Sequence, residues 1–107
     1  MSLDVWLVAV RKVEVFDANI THNLNRMADE ASIYECLWRP EEVGIEKAAG
    51  LIEPLRSGIA LMESDPDRFR KLDAENGWGT YDQFLPWLRR YLLACEENPD
   101  AEVMVSR

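Results

Sequence analysis

One histidine, His22, and two cysteines, Cys36 and Cys95, are the only imidazole and thiols in the chain, and that scarcity excludes several kinds of chemistry. Nucleophile–base–orienter catalysis needs a histidine or an equivalent base, so such a site has to be built on His22. With neither a CxxC pair nor a Cys/His grouping, a closed zinc site would have to recruit carboxylates from distant segments. No metal and no cofactor is expected. Glycine and proline number five each, too few for a collagen-like or linker-dominated chain. Sequences of the GxGxxG, P-loop, nucleophile-elbow and basic-aromatic types are missing. The longest apolar stretch, Leu3–Val10, is eight residues, contains Asp4, and is followed rather than preceded by Arg11 and Lys12. It is too short to span a bilayer and has the wrong flanks for a signal peptide. The expectation is a cytoplasmic chain in which Asn19-Ile20-Thr21 meets no glycosylation machinery and both cysteines are buried small hydrophobes.

Positive charge is also scarce: twelve Lys and Arg face twenty Asp and Glu, for a net charge of −8. Such a surface repels nucleic-acid phosphates, so direct nucleic-acid binding is not expected. It serves solubility, or docking on a basic partner. The carboxylate groups Glu41-Glu42, Glu63-Asp65-Asp67 and Glu96-Glu97 fall in caps and turns and read as solvated faces. Hydrophobic residues make up 48% of the 107 residues, enough for a single folded domain, 1–107, with one core.

Leu3–Val10 is apolar on both parities, which predicts a central strand covered from both sides. Val13–Phe16 is a second β-prone run. No Gly, Pro or Asn lies between the two, so the signal for a tight hairpin is weak, and a bulge or a short charged turn is the alternative connection. From Asn19 the period becomes helical, through Ile20, Leu24, Met27, Ala28 and Ala31, with Asn19 or Thr21 as the N-cap. Tyr34 and Trp38 continue the spacing. Either one helix runs to about Trp38, or a first helix ends near Ser32 and a short turn follows.

Arg39-Pro40 ends that element. A second helix carries Ile45, Ala48, Ala49, Ile52, Leu55, Ile59 and either Leu61 or Met62, with a bend or a late start expected from Gly50 and Pro54. Ser64–Asp67 caps a short helix through Leu72. Thr80 and Gln83 stand in capping-box spacing before a helix that buries Tyr81, Phe84, Leu85, Leu88, Leu92 and Cys95. Asn98-Pro99-Asp100 stops it. Ala101, Val103 and Val105 then alternate with polar neighbours, as in a half-exposed strand. The order predicts an α+β fold: a small, three-stranded, mostly antiparallel sheet of two N-terminal strands and the C-terminal strand, the first strand in the middle, packed with three main helices and one short one.

Polar and aromatic residues gather at the junctions of these elements. Asn19, Thr21, His22 and Asn23 mark the strand-to-helix junction, Trp38 and Arg39 a helix end, and Asn76, Trp78, Thr80 and Tyr81 a glycine-flanked loop. Rings supply contact area and amides fix orientation, so these ten are the candidate binding residues. The same groups also suit capping and lidding of the core. A continuous helix would hold His22 and Trp38 about 25 Å apart; only a break near Ser32 lets His22, Trp38 and Arg39 share one pocket. His22 is the weak candidate for a catalytic base. In a small hydrolase or lyase built on it, Asn19 or Thr21 would orient the substrate.

The stretches NITHNLNRMADEASIYECLWRPEE, AAGLIEPLRSGIALM, NGWGTYDQF and ACEENPDAEVMVSR resemble a family of small uncharacterised proteins carried by bacteriophages, prophages and some bacterial genomes. Members tend to carry glycine where Ser32 stands; a glycine there would favour the broken helix, and its replacement by serine in this chain weakens that inference and leaves both forms of the helix open. The family has no established activity to carry over. The resemblance implies a setting, the cytoplasm of a bacterial host, and by analogy a non-catalytic accessory protein that binds a host protein or a small polar ligand.

Overall fold

Leu3, Val5 and Leu7 project from one side of the first strand, β1 (Ser2–Val8), and are fully buried. The computed structural model describes residues 1–9 and 11–107; Val10, the end of the predicted first strand, lies outside the described residues. Asp4, Trp6 and Val8, of the opposite parity, are only partly covered. This corrects the expectation of a strand covered from both sides: the sheet buries one face, and its apolar residues of the other parity lie on an open surface.

β1 pairs antiparallel with β2 (Glu14–Thr21), Leu3 opposite Ile20, Val5 opposite Ala18 and Leu7 opposite Phe16, with a register shift between Leu7 and Val8. The connection needs no glycine. Lys12 itself takes φ 64°, and the turn closes through Ala9 N–H donating to the Val13 carbonyl and Lys12 N–H to that of Ala9, both 2.7 Å. β2 runs five residues past Phe16, the predicted end of the second run. Ile20 therefore belongs to the strand and not to the helical stripe, because it shares the inward parity of Phe16 and Ala18. β3 (Glu102–Ser106) lines the other edge of β1, antiparallel, with Val105 opposite Val5 and Val103 opposite Leu7. The order β2-β1-β3 puts β1 in the middle, as expected.

The helices are α1 (Asn25–Glu30), α2 (Tyr34–Trp38), α3 (Ala49–Ser64), α4 (Pro66–Arg70) and α5 (Tyr81–Glu97). The first of the three main helices is thus divided, and the break falls at Ser32. Ser32 takes φ 62°, Ser32 N–H donates to Asp29 O (3.0 Å) and Ile33 N–H to Ala28 O (2.9 Å). These are the two bonds of a Schellman ending, with serine at the left-handed position where glycine is usual. Ile33, next along, is buried and anchors the reversal against α3. An added Cβ on Gly58 would stand 2.5 Å from Ile33 Cγ2, so α3 admits the turn only because residue 58 has no side chain.

α3 starts late, at Ala49, because Glu46 and Lys47 before it are held against β3; Gly50 and Pro54 both lie inside the helix, Pro54 in its second turn, where the bond it cannot donate is the one to Gly50. On α5 the capping box is complete. Thr80 Oγ1 accepts from Gln83 N–H (3.3 Å) while Gln83 Oε1 accepts from Thr80 N–H (3.0 Å). Besides the expected residues, Trp87 and Tyr91 are buried on this helix, whereas Leu92 is only partly so. Phe16 of β2 stacks on Tyr91 at 5.7 Å, and Trp87 meets Tyr91 edge-on at 5.5 Å. This aromatic cluster seats α5 on the inner face of the sheet. Cys36 and Cys95 are free and buried, and burial pushes both thiols up to about 12. Among the described residues no helix is long and apolar enough to cross a membrane.

Candidate functional site

Two segments, the end of β2 and the loop before α5, meet because their local hydrogen bonds face one another. Thr21 leaves β2 in an extended conformation, and its Oγ1 accepts from Asn23 N–H at 3.2 Å. It caps a single 3-10 turn, His22–Leu24, that runs into α1. Asn19, the other predicted cap, stays in the strand opposite Asp4. In the loop, Asn76 Oδ1 accepts from Trp78 N–H (2.9 Å), Gly79 N–H donates to Gln83 Oε1 (3.0 Å) and Gln83 Nε2 donates to Gly77 O (3.2 Å). Gly77 and Gly79 hold positive φ, 77° and 116°. One bond joins the segments: Asn23 Nδ2 donates to Trp78 O at 2.7 Å. Contact completes the join, since a Cβ on Gly79 would lie 3.0 Å from Asn23 Cβ and 3.2 Å from Thr21 Cγ2.

The result is a hollow of about 810 Å³ lined by Asn19, Thr21, His22, Asn23, Asn76 and Trp78, with Met1, Ser2 and Ile20 completing the wall. Six of the ten candidate residues come together here. Sequence reading missed the other three, although strand register could have found them, because Ser2 pairs with Thr21 across the sheet. Trp78 is 72% exposed, so its indole offers open contact area. Several polar groups are uncommitted. Among the described residues the Asn19 amide, Asn23 Oδ1 and Asn76 Nδ2 make no hydrogen bond.

The helix break does bring His22 and Trp38 together, with ring centroids 6.1 Å apart, and Trp38 stacks on Tyr34 at 5.3 Å. Yet Trp38 is only 2% exposed and stands behind the imidazole as packing, outside the hollow's lining. Arg39 turns to Glu42 (2.9 Å) and does not line it either. Thr80 serves as the cap of α5. Tyr81 is buried, donates its hydroxyl proton to Met62 O at 3.1 Å and lies under the Arg70 guanidinium at 4.8 Å. The fork resolves toward the broken helix without delivering the shared indole–imidazole–guanidinium pocket, because an amphipathic turn spends its large ring on the core.

His22 Nε2 has no accessible surface and no hydrogen-bond partner among the described residues. A base has to reach the proton it removes, directly or through one water. Here that nitrogen is covered, and among the described residues no side chain hydrogen-bonds to the ring to orient it. Among the described residues no group of three or more His, Cys, Asp and Glu side chains converges to hold a metal ion. Comparison with protein-family models, with curated proteins and with solved structures finds no match to the chain.

Proposed function

We propose that the chain is a non-catalytic accessory protein of phage or prophage type, working in the cytoplasm of a bacterial host, which binds a host protein or a small polar ligand through the hollow and its acidic surroundings. The observation that carries this reading is the pairing, in one concavity, of an exposed indole with three amides whose remaining donors and acceptors are free. An amide that presents both a donor and an acceptor reads the orientation of a polar ligand, while the indole gives contact area that little ordering entropy opposes. The covered Nε2 of His22 favours this over the reading as a small hydrolase or lyase with His22 as general base.

The test is a ligand-observed and protein-observed NMR screen with small amides, carboxylates and sugars, repeated on Trp78→Ala, Asn76→Ala and His22→Ala. Binding that shifts the amides of 19–23 and 76–79, and that weakens at least tenfold in Trp78→Ala with the fold unchanged, supports the reading. Ligands that bind Trp78→Ala as tightly as the parent protein would remove it. Turnover of a substrate that disappears in His22→Ala would replace it with the catalytic alternative.

A further inference from the structure

The open face of the sheet is a second surface, and it shares only Asn19 with the hollow. Trp6 stands at its centre on β1, with Asp17 of β2 directly opposite on one side and Met104 of β3 on the other. Asp4 lies two residues before Trp6 and projects to the same face. A groove of about 590 Å³ crosses this surface, lined by Asp4, Trp6, Glu14, Asp17, Asn19 and Ser106 among others, and no Lys or Arg lines it.

Three of the eleven carboxylates that no Lys or Arg approaches within 4.0 Å, among the described residues, gather on this face. Nine carboxylates elsewhere on the molecule have a Lys or Arg within 4.0 Å. Asp4, Glu14 and Asp17 have none among the described residues. The carboxylates are spread along the sheet and do not converge as metal ligands, so one small ion does not satisfy them. A second copy of the chain would bring the same acids against themselves, with like charges opposed. What matches is a row of cations at strand spacing. On an extended chain, alternate side chains share a face about 6.6 to 6.8 Å apart, which is also the step from Asp4 to Trp6 along β1.

The edge needed to seat such a chain is present. β2 is hydrogen-bonded to β1 on one side and, among the described residues, to no strand on the other. The outer edge of β3 differs, because Lys47 bridges to Glu102 and Val103 N–H donates to Glu46 O at 2.9 Å. We propose that β2 accepts an extended, cationic segment of a partner protein as a fourth strand, its alternate Arg or Lys side chains meeting Asp17, Asp4 and Glu14 and lying over the Trp6 indole. Main-chain hydrogen bonds along the edge supply affinity, and the acidic, aromatic row selects for cations. This gives a location to the acidic-surface half of the function proposed above and needs nothing from the hollow.

The probe is an acetylated, amidated octapeptide in which Arg alternates with Val, titrated into the ¹⁵N-labelled protein, with a Glu-for-Arg peptide as control. Expected are shifts confined to the amides of Glu14–Thr21 and the Trp6 indole, and affinity that falls as salt rises from 50 to 150 mM. Asp4→Asn/Asp17→Asn, isosteric changes that keep the fold by circular dichroism, should weaken the peptide about three- to tenfold, and Trp6→Phe about two- to fivefold. Trp78→Ala should leave peptide binding unchanged, so failure of this docking site and failure of the hollow are separate results. Shifts that map elsewhere, an Asn double variant that binds as tightly as the parent, or equal binding of the Glu peptide would overturn the proposal. Dimerisation through β2 in the absence of peptide, seen by sedimentation, would assign the edge to a second copy and overturn it equally.

Discussion

Replacing Gly79 by alanine tests whether the hollow's two walls are joined as closely as they look. The residue holds φ 116°, outside the left-handed well that asparagine or alanine visits, and a strained backbone of that kind costs about 1–3 kcal/mol. The new methyl would also stand 3.0 Å from Asn23 Cβ, 3.2 Å from Thr21 Cγ2 and 3.3 Å from Leu24 Cγ, well inside the roughly 3.5–4.0 Å at which carbon atoms rest. None of the three can swing aside easily. Thr21 is tied by its cap bond, Asn23 by its bond to Trp78, and Leu24 is fully buried. Overpacking of this sort adds about 1–3 kcal/mol. The combined loss is about 2–6 kcal/mol, a large share of the roughly 5–15 kcal/mol that holds a domain together.

Gly77, in the same loop, provides the control. It too has positive φ, 77°, but a Cβ there meets nothing within 4 Å. Gly77→Ala should therefore lose only the left-handed penalty of about 1–2 kcal/mol. Urea denaturation followed by tryptophan fluorescence gives both values, and heating should show the difference as roughly 4–8 °C of Tm per kcal/mol. Equal losses in the two variants would refute the close approach of the Gly79 loop to the Thr21–Leu24 turn, and with it the hollow as a preformed concavity. An excess of about 1–3 kcal/mol for Gly79→Ala, accompanied by shifted Asn23 side-chain amide signals, is the expected outcome.

Three further outcomes follow from other parts of the fold. Gly58→Ala should destabilise by about 1–2 kcal/mol in urea denaturation, although alanine is the better helix former, because its methyl would fall 2.5 Å from the branch carbon Cγ2 of buried Ile33; a stabilised variant would refute the packing of the Ser32 turn on α3. Thr80→Ala should lose about 1 kcal/mol by removing the hydroxyl that accepts from Gln83 N–H, and no change on thermal melting would show that the box contributes nothing. Cys36 and Cys95 should resist a thiol reagent at pH 8 until the protein unfolds, since burial raises both from the ordinary 9.0 to about 12. In the unfolded chain the same thiols ionise first, so the native state binds more protons above pH 9. Stability is therefore full below about pH 9 and falls as pH rises toward about 12, by up to about 1.4 kcal/mol per unit per thiol. Flat stability from pH 8 to 10.5 would contradict that burial.

How far the chain could be read without coordinates depended on whether one period or two competed for a residue. β1 and α5 each carry a single dominant signal, and both were placed correctly apart from details of cover. Ile20 fits a helical step from Leu24 and an alternating step from Phe16 equally well, so local spacing could not assign it; pairing with Leu3, seventeen residues away, decides it. The helix break was visible only as a fork, because serine in the left-handed region is uncommon and its cost is met by the Ile33 anchor, a tertiary contact. Trp38 carried the largest error of meaning. Sequence marked it as an unusual residue at a junction, but an indole at the end of a five-residue helix has more apolar area to hide than to offer, and it went into the core. Trp6 erred the other way: read as covered, it lies on the open face.

The residues of NITHNL show how capping and binding divide one set of polar groups. Unpaired amides at a helix start or in a tight loop need an acceptor, and Thr21 Oγ1 supplies one to Asn23 at the start of the 3-10 turn while Asn76 Oδ1 supplies one to Trp78 in the loop. Those atoms are committed, and substituting them changes stability before it changes recognition. Asn23 is split between the two duties, since its Nδ2 holds the loop and its Oδ1 is left over. Asn19, which the strand register already satisfies through its backbone, has its whole amide left over. On the function proposed for the hollow, recognition depends most on Asn19 and Trp78, an amide and a ring in its lining whose side chains make no hydrogen bond among the described residues. The aspartate at β2's next outward position, Asp17, has the same freedom and lines the open face alone, so the two proposed surfaces meet on this strand only at Asn19.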